Sequence, residues 1–228
     1  MLASEEAVGK NEPMSLFVTG TDTDVGKTWA SVELVKAWRA AGMDAVGMKP
    51  IACGDRVDAE LLHAASGGGL GINEVNPVWL RPAVAPYTAA MIEERAVDLA
   101  LIRETFAVLK ARHSSIVVEG AGGWMVPILR DYAVADLAVE LGLPVLVVAA
   151  NRLGVLNHAL LTVDAILGRR LKCAGVVLNS PNLGREDDAA RVTNAGVLEE
   201  LLAGRGVPLL GEIEHGAKRL PERLLALG

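Results

Sequence analysis

The sequence contains few of the residues that mark secreted, membrane-spanning or nucleic-acid-binding proteins. Its 228 residues include two cysteines, Cys53 and Cys173, which lie far apart and without metal-ligand spacing. No apolar run is long and charge-free enough to span a bilayer, and the formal net charge of −6 comes without a basic cluster. We therefore expect a cytoplasmic protein with reduced thiols, and neither a membrane nor a nucleic acid as its partner.

Aromatic residues are also scarce, at 4%, although 51% of the residues are hydrophobic. Ala, Val and Leu must then fill the core, which favours a parallel sheet covered on both faces. A chain of this length is expected to form one α/β domain, here over residues 14–228. Residues 1–13 are small and polar and do not form a signal peptide, so we predict a disordered extension there.

The segment from Phe17 to Thr28 predicts a phosphate-binding loop between a strand and a helix. It departs from the strict pattern G-x-x-x-x-G-K-[ST], because Thr21 stands at the place of the first glycine and Gly20 lies one residue earlier. The backbone N–H groups and the dipole of the following helix would form an anion site. Lys27 can reach the outer phosphates and the Thr28 hydroxyl can ligate magnesium, so we predict a bound nucleoside triphosphate.

The remaining chain alternates between apolar runs and helical patterns. We expect further strands at 45–48, 115–119, 144–150, 174–178 and 207–213, and helices at 58–65, 99–112, 135–141, 157–167 and 185–202. Residues 51–55 are expected to form a loop, and residues 76–86 irregular structure or an edge strand. The predicted fold is α/β: a doubly wound, mainly parallel sheet with helices on both faces, like that of P-loop NTPases.

Polar residues follow several of the predicted strands, and these ends meet at one edge of a parallel sheet. Lys49 and Glu119 stand at two of them, and Asn179 ends a third. Together with Thr28, Glu119 offers the oxygen ligands that magnesium prefers. Asp58 could join this cluster or could equally cap a helix.

Four segments closely resemble the dethiobiotin synthetase family: Gly20–Thr28, Lys49–Gly54, Val118–Trp124 and Arg152–Thr162. The matches run in order over residues 16–213. The phosphate loop alone would indicate only a large superfamily, whereas Glu-Gly-Ala-Gly-Gly-Trp with Leu-Gly-x-x-Asn-His is far more specific. The resemblance implies a ligase of biotin biosynthesis that makes a carbamate from 7,8-diaminononanoate and CO2. ATP would phosphorylate this carbamate, and the second amine would displace phosphate to close a cyclic urea.

The resemblance also assigns site residues. It makes Lys27 and Lys49 catalytic, and Thr28, Asp58 and Glu119 the ligands of Mg2+. The residues that would bind ATP are Asp24, Val25, Gly26, Lys27, Thr28, Trp29, Asp58, Glu119, Gly120, Ala121, Gly122, Asn179, Ser180, Glu214, His215 and Gly216. Those that would bind the diamine substrate are Cys53, Leu153, Gly154, Val155, Leu156 and Asn157. In the family the last five residues serve the other subunit, which implies a homodimer. Cys53 is a departure, since the family often has Ser or Thr there.

Two other classes of protein share this type of loop. A switch ATPase of the partitioning or site-determining class usually carries an additional lysine early in the loop, and residues 20–25 contain none. An amidotransferase-type synthetase of cobalamin biosynthesis needs a second, glutaminase domain with a nucleophilic cysteine, for which this chain is too short. The cyclic-urea ligase is the preferred hypothesis, with the switch ATPase as the alternative.

Overall fold

The structure is a computed structural model that describes residues 14–180 and 189–227. The predicted extension over residues 1–13 lies outside these ranges, as does the start of the helix predicted at 185–202. The strands are β1 (Leu16–Gly20), β2 (Ala45–Met48), β3 (Ile51–Cys53), β4 (Val78–Leu80), β5 (Ser115–Gly123), β6 (Pro127–Leu129), β7 (Tyr132–Ala133), β8 (Val145–Ala150), β9 (Cys173–Asn179) and β10 (Leu209–Ile213). The helices are α1 (Lys27–Ala40), α2 (Val57–Ala65), α3 (Ile72–Val75), α4 (Pro86–Ile92), α5 (Leu99–Arg112), α6 (Val134–Leu141), α7 (Val155–Gly168), α8 (Ala189–Ala203) and α9 (Glu222–Leu225).

Six strands form one parallel sheet in the order β10-β9-β8-β1-β5-β2. Every residue of β1, β8 and β9 is buried. Successive side chains of a strand point to opposite faces, so both faces of the sheet are covered. The predicted doubly wound α/β fold is confirmed, and the phosphate-loop strand β1 lies within the sheet rather than at its edge.

Helix α1 connects the phosphate loop to the core. Its buried residues Ala30, Leu34 and Trp38 recur every four positions and form one face. This face packs against β1, β2 and β5. The packing fixes the start of the helix, where Lys27 and Thr28 stand, at the carboxyl end of the sheet.

Strand β5 does not end at Glu119 as predicted but continues to Gly123. Val18 pairs with Glu119, whereas Gly20 pairs with Gly123, so two steps along β1 correspond to four along β5. Such a register shift bends a strand and redirects its side chains. It occurs directly after Glu119, beside the phosphate loop.

The predicted loop over residues 51–55 is wrong in its first half, because Ile51–Cys53 forms β3. It pairs in parallel with β4, which lies within the segment where an edge strand was one of two expectations. Together they make a two-stranded sheet separate from the main one. Helix α4 and the β6–β7 hairpin were not predicted.

Among the helices in residues 14–180 and 189–227, none has the length and apolarity needed to cross a membrane.

Replacing Gly196 by alanine is expected to raise the free energy of unfolding by about 0.5–1 kcal/mol, because alanine loses less backbone entropy in a helix. Gly196 is exposed within α8, and an added Cβ there would meet no atom within 4 Å. Urea unfolding measures the change. Gly142→Ala is the matched control: its Cβ also enters open space, but Gly142 ends α6 with φ 65°, where alanine is strained. If Gly142→Ala raised the free energy of unfolding and Gly196→Ala lowered it, the backbone conformations described for these two glycines would be contradicted.

Candidate active site

The phosphate loop connects β1 to α1 through a backbone of unusual conformation. Gly26 caps α1 with φ 96°, and Asp24 adopts φ 55° although it is not glycine. A Cβ on Gly20 would lie 2.7 Å from the Asp22 carbonyl oxygen and 2.9 Å from Lys27 Nζ. This close approach explains why the loop has its first glycine at position 20 and tolerates Thr21 at the next.

Lys49, Asp58, Glu119 and Thr28 form one cluster at the carboxyl ends of the strands. The Lys49 ammonium donates hydrogen bonds to Glu119 Oε1 at 2.6 Å and to Asp58 Oδ2 at 2.7 Å. Thr28 Oγ1 lies 2.8 Å from Asp58 Oδ1 and 2.9 Å from Glu119 Oε1, and its single hydrogen can be donated to one of them at a time. The structure therefore brings together the four side chains whose convergence the sequence suggested.

The two lysines of the site differ in their electrostatic surroundings. Burial alone would lower the pKa of Lys49, but the charges and hydrogen bonds of Glu119 and Asp58 raise it above the ordinary lysine value. Burial, and then the charge of Lys49, lower the pKa of Lys27. Lys27 Nζ donates to a neutral group, the Asp22 carbonyl, at 3.0 Å. A bound anion would therefore stabilise the charge of Lys27 more than that of Lys49, which already has two carboxylate partners.

The oxygen atoms of this cluster fit a magnesium ion. Magnesium takes hard oxygen ligands and commonly binds one or two carboxylates together with phosphate oxygens. Glu119 is fully buried, and its Oε2 atom has no hydrogen-bond partner among the described residues. Burial would raise the pKa of Asp58, but the charge and hydrogen bond of Lys49 and the hydrogen bond of Thr28 lower it. Asp58 is therefore an anion at neutral pH, as a metal ligand must be.

A second polar group lies where β8, β9 and β10 end. Asn179 donates through Nδ2 to the Val25 carbonyl of the phosphate loop at 2.8 Å. Ser180 donates to Glu212 at 2.8 Å, and Asn151 donates to the same carboxylate oxygen. Sequence reasoning missed Glu212 and Asn151. Asn151 follows an all-apolar strand just as Lys49 does, and that signal could have identified it.

The other predicted nucleotide contacts are spread around these two groups. Asp24 and the segment 214–216 are exposed, Trp29 is partly buried against the core, and Val25 is buried. Gly120 is buried and Ala121 and Gly122 are half-buried, within the shifted part of β5. Segment 214–216 follows β10, and Glu214 lies 3.8 Å from Arg191.

The predicted substrate contacts fall in two places. Cys53 ends β3 and is half-buried; burial raises its thiol pKa to about 11, against the opposing effect of Lys49. Leu153 and Gly154 precede α7, while Val155, Leu156 and Asn157 form its first turn, two residues earlier than predicted. Arg152, just before this turn, makes an ion pair with Asp22 of the phosphate loop at 3.0 Å.

Comparison with known proteins agrees with the motifs. The family model described as an AAA domain matches residues 14–222. The ATP-dependent dethiobiotin synthetase of Akkermansia muciniphila is 48% identical over 202 residues, covering 89% of this chain and 92% of that protein. The protein of the same name from Anaeromyxobacter dehalogenans is 48% identical over 199 residues, covering 86% and 88%. Among solved structures, a plasmid partition protein from Borrelia burgdorferi gives a TM-score of 0.56 at 11% identity, over 95% of this chain and 98% of that chain.

These findings decide between the two hypotheses left by the sequence. The partition protein is similar at the level of fold alone, whereas the dethiobiotin synthetases share nearly half of their residues with this chain over most of its length. The partitioning alternative is therefore not supported, and the resemblance read from the four motifs is confirmed. The chain belongs to the family of ATP-dependent dethiobiotin synthetases.

Proposed function

We propose that this chain closes the ureido ring of dethiobiotin from 7,8-diaminononanoate, CO2 and ATP, releasing ADP and phosphate. One substrate amine attacks CO2 and loses a proton to give a carbamate. A carbamate oxygen then attacks the γ-phosphorus of ATP, and the bond to ADP breaks. Finally the second amine attacks the carbamoyl carbon and loses a proton, the bond from that carbon to the phosphate oxygen breaks, phosphate leaves, and the ring is closed.

The observation that carries this proposal is the buried Lys49 ammonium beside the phosphate loop. The substrates meeting there are a carbamate anion and a polyanionic triphosphate, which repel each other in the absence of positive charge. Lys49 is almost fully buried, so its charge is weakly screened by solvent. We assign Lys49 to the carbamate and the transferred phosphoryl group, and Lys27 with the N-terminus of α1 to the ATP phosphates.

Thr28, Asp58 and Glu119 are proposed to hold Mg2+. When bound, the ion would neutralise charge on the phosphate oxygens during transfer. The two lysines of the site, Lys27 and Lys49, carry together as much positive charge as Asp58 and Glu119 carry negative charge. Without a cation, the site would therefore have no net positive charge to offset the triphosphate.

The remaining residues of the site are assigned to the base of ATP and to the diamine. Asn179, Ser180 and segment 214–216 would surround the base, and Gly120–Gly122 would line the site between nucleotide and substrate. Cys53 would contact the diamine, with its thiol protonated at neutral pH because its pKa is about 11. A thiol is a weak hydrogen-bond donor, so this contact contributes less than the hydroxyl that the family often has.

We further propose that the protein acts in the cytoplasm as a homodimer, with residues 153–157 receiving the substrate carboxylate of the partner's site. An open groove between the phosphate loop and α7 is lined by Met125 and Leu161, which are 61% and 63% exposed. Leu153 is 84% exposed at the start of the same helix. A second copy would cover these apolar side chains. Light scattering at micromolar concentration tests this, and a monomeric mass would contradict it.

The test of function is ADP release by the purified protein with ATP, magnesium and bicarbonate, with and without 7,8-diaminononanoate. The diamine should stimulate release strongly, and label from bicarbonate should enter a product that survives acid. The matched control is 7-aminononanoate, which has one amine and can form a carbamate but no ring. Its label should be lost on acidification. Equal ADP release with and without the diamine would contradict the proposed ligase.

A further inference from the structure

The side chain of Asn179 reaches from the end of β9 to the phosphate loop. It is buried, and its Nδ2 atom donates to the Val25 carbonyl at 2.8 Å, across 154 residues of sequence. An added Cβ on Gly26 would overlap the same Nδ2 atom. The carboxamide therefore packs directly against the peptide plane that joins Val25 to Gly26.

This peptide plane determines where the loop directs its donors. In a trans peptide the C=O and N–H groups point in opposite directions, so fixing the Val25 oxygen also fixes the direction of the Gly26 N–H. Strained backbone, such as that of Asp24 with φ 55°, persists only where surrounding contacts hold it. The loop begins with a bond from Thr21 N to the Val148 carbonyl at 3.1 Å, and Lys27 ties it to Asp22. The Asn179 bond holds its last turn.

Asn179 is itself anchored by its neighbours. Its carbonyl accepts a hydrogen bond from Asn151 N at 2.7 Å, and the next residue, Ser180, donates its N–H to Ile213 at 2.8 Å. The Ser180 hydroxyl is bonded to Glu212. Strands β8 and β10 thus hold the end of β9 from both sides, so the Asn179 side chain projects from a rigid base.

We infer that Asn179 positions the phosphate loop, in addition to the base contact expected of it. Its carboxamide holds the Val25–Gly26 peptide so that the N–H groups at the start of α1 face the triphosphate. The Val25 bond uses one N–H, and the carboxamide has a second N–H and an oxygen with which to contact a base. This inference rests on the proposed nucleotide site. It makes a distinct prediction, because a residue that only contacts the base cannot affect a ligand without one.

The test compares inorganic tripolyphosphate with ATP, each with magnesium, by isothermal titration calorimetry. Asn179→Leu keeps the approximate volume of the side chain and removes the donor, and Asn179→Ala is the second variant. Both should bind tripolyphosphate about tenfold more weakly than the unmodified protein, the usual worth of one buried hydrogen bond. Their KM for 7,8-diaminononanoate should change less than about twofold. A general loosening of the fold would instead raise both this KM and the dissociation constant for tripolyphosphate.

Asn194→Ala is the matched control. Asn194 is a buried amide at the same edge of the sheet, bonded to Asn151 at 2.9 Å. Its loss should lower the melting temperature and leave tripolyphosphate binding intact. Asn179 variants that bind tripolyphosphate normally and lose affinity for ATP alone would overturn the inference. That result would not bear on the proposed ligase function, which is tested separately with the unmodified protein and the diamine.

Discussion

Replacing Lys49 by methionine is expected to lower kcat for diamine-stimulated ADP release by about 10³-fold, the upper range for removal of one preorganised charge-stabilising donor. Methionine has a similar length and no charge, so it preserves packing. Lys27 and the phosphate loop remain, so ATP should still bind within about tenfold of its normal affinity. The effect should thus fall on the chemical step rather than on nucleotide binding.

The same substitution should also reduce stability, because it leaves the buried Glu119 carboxylate without its ammonium partner. Breaking such a pair typically costs about 3–5 kcal/mol. Lys49→Met with Glu119→Gln removes both charges, so we expect it to recover part of the melting temperature and none of the activity. Lys36→Met serves as the neutral control, since Lys36 is exposed on α1 and makes a surface ion pair with Glu33. If Lys49→Met kept a tenth or more of the normal kcat, Lys49 could not have the proposed role.

Replacing Gly26 by alanine is expected to weaken ATP binding by more than about 100-fold, a loss of over about 2.7 kcal/mol. Two causes act together. At φ 96° an L side chain is strained, and the new methyl group would overlap the Asn179 carboxamide. The loop must therefore move, and with it the N–H groups that bind the phosphates.

Calorimetry with ATP and with tripolyphosphate measures this loss, and Gly196→Ala is the control for the same chemical change at an unstrained, open position. Combining Gly26→Ala with Asn179→Ala removes the overlap but leaves the backbone strain. We expect the double variant to bind no better than Asn179→Ala alone. Normal ATP affinity in Gly26→Ala would show that the loop does not use this conformation when it binds the nucleotide.

Sequence reasoning predicted the parts of the site that depend on sheet geometry. Lys49 follows an apolar strand and Glu119 follows the apolar run Ile116–Val118 within β5, and the carboxyl ends of parallel strands lie at one edge of the sheet. The sequence left open whether Asp58 only caps a helix. In the structure Arg56 is the cap residue of α2, and Asp58 lies in the first turn with contacts to Lys49 and Thr28.

The rest depends on contacts between residues far apart in the chain. Strand β3 exists because residues 51–53 pair with residues 78–80, and its three residues carry no periodic pattern of their own. The register shift in β5 arises from the fit of β1 against it. The bond from Asn179 to Val25 joins two segments whose sequences contain no sign of each other.

The order of strands in the sheet has a consequence for how the protein is made. Strand β1 precedes both of its neighbours, β5 and β8, in the chain, and its Phe17 pairs with Val118 and Val145. At about 5–20 residues per second, a ribosome reaches β8 only about 6–25 s after β1. Until β5 has been made, this mostly apolar strand has neither neighbour, and such exposed edges promote aggregation. The nucleotide-binding loop is thus made before β5 and β8, and it can form only once both of these strands have been synthesised.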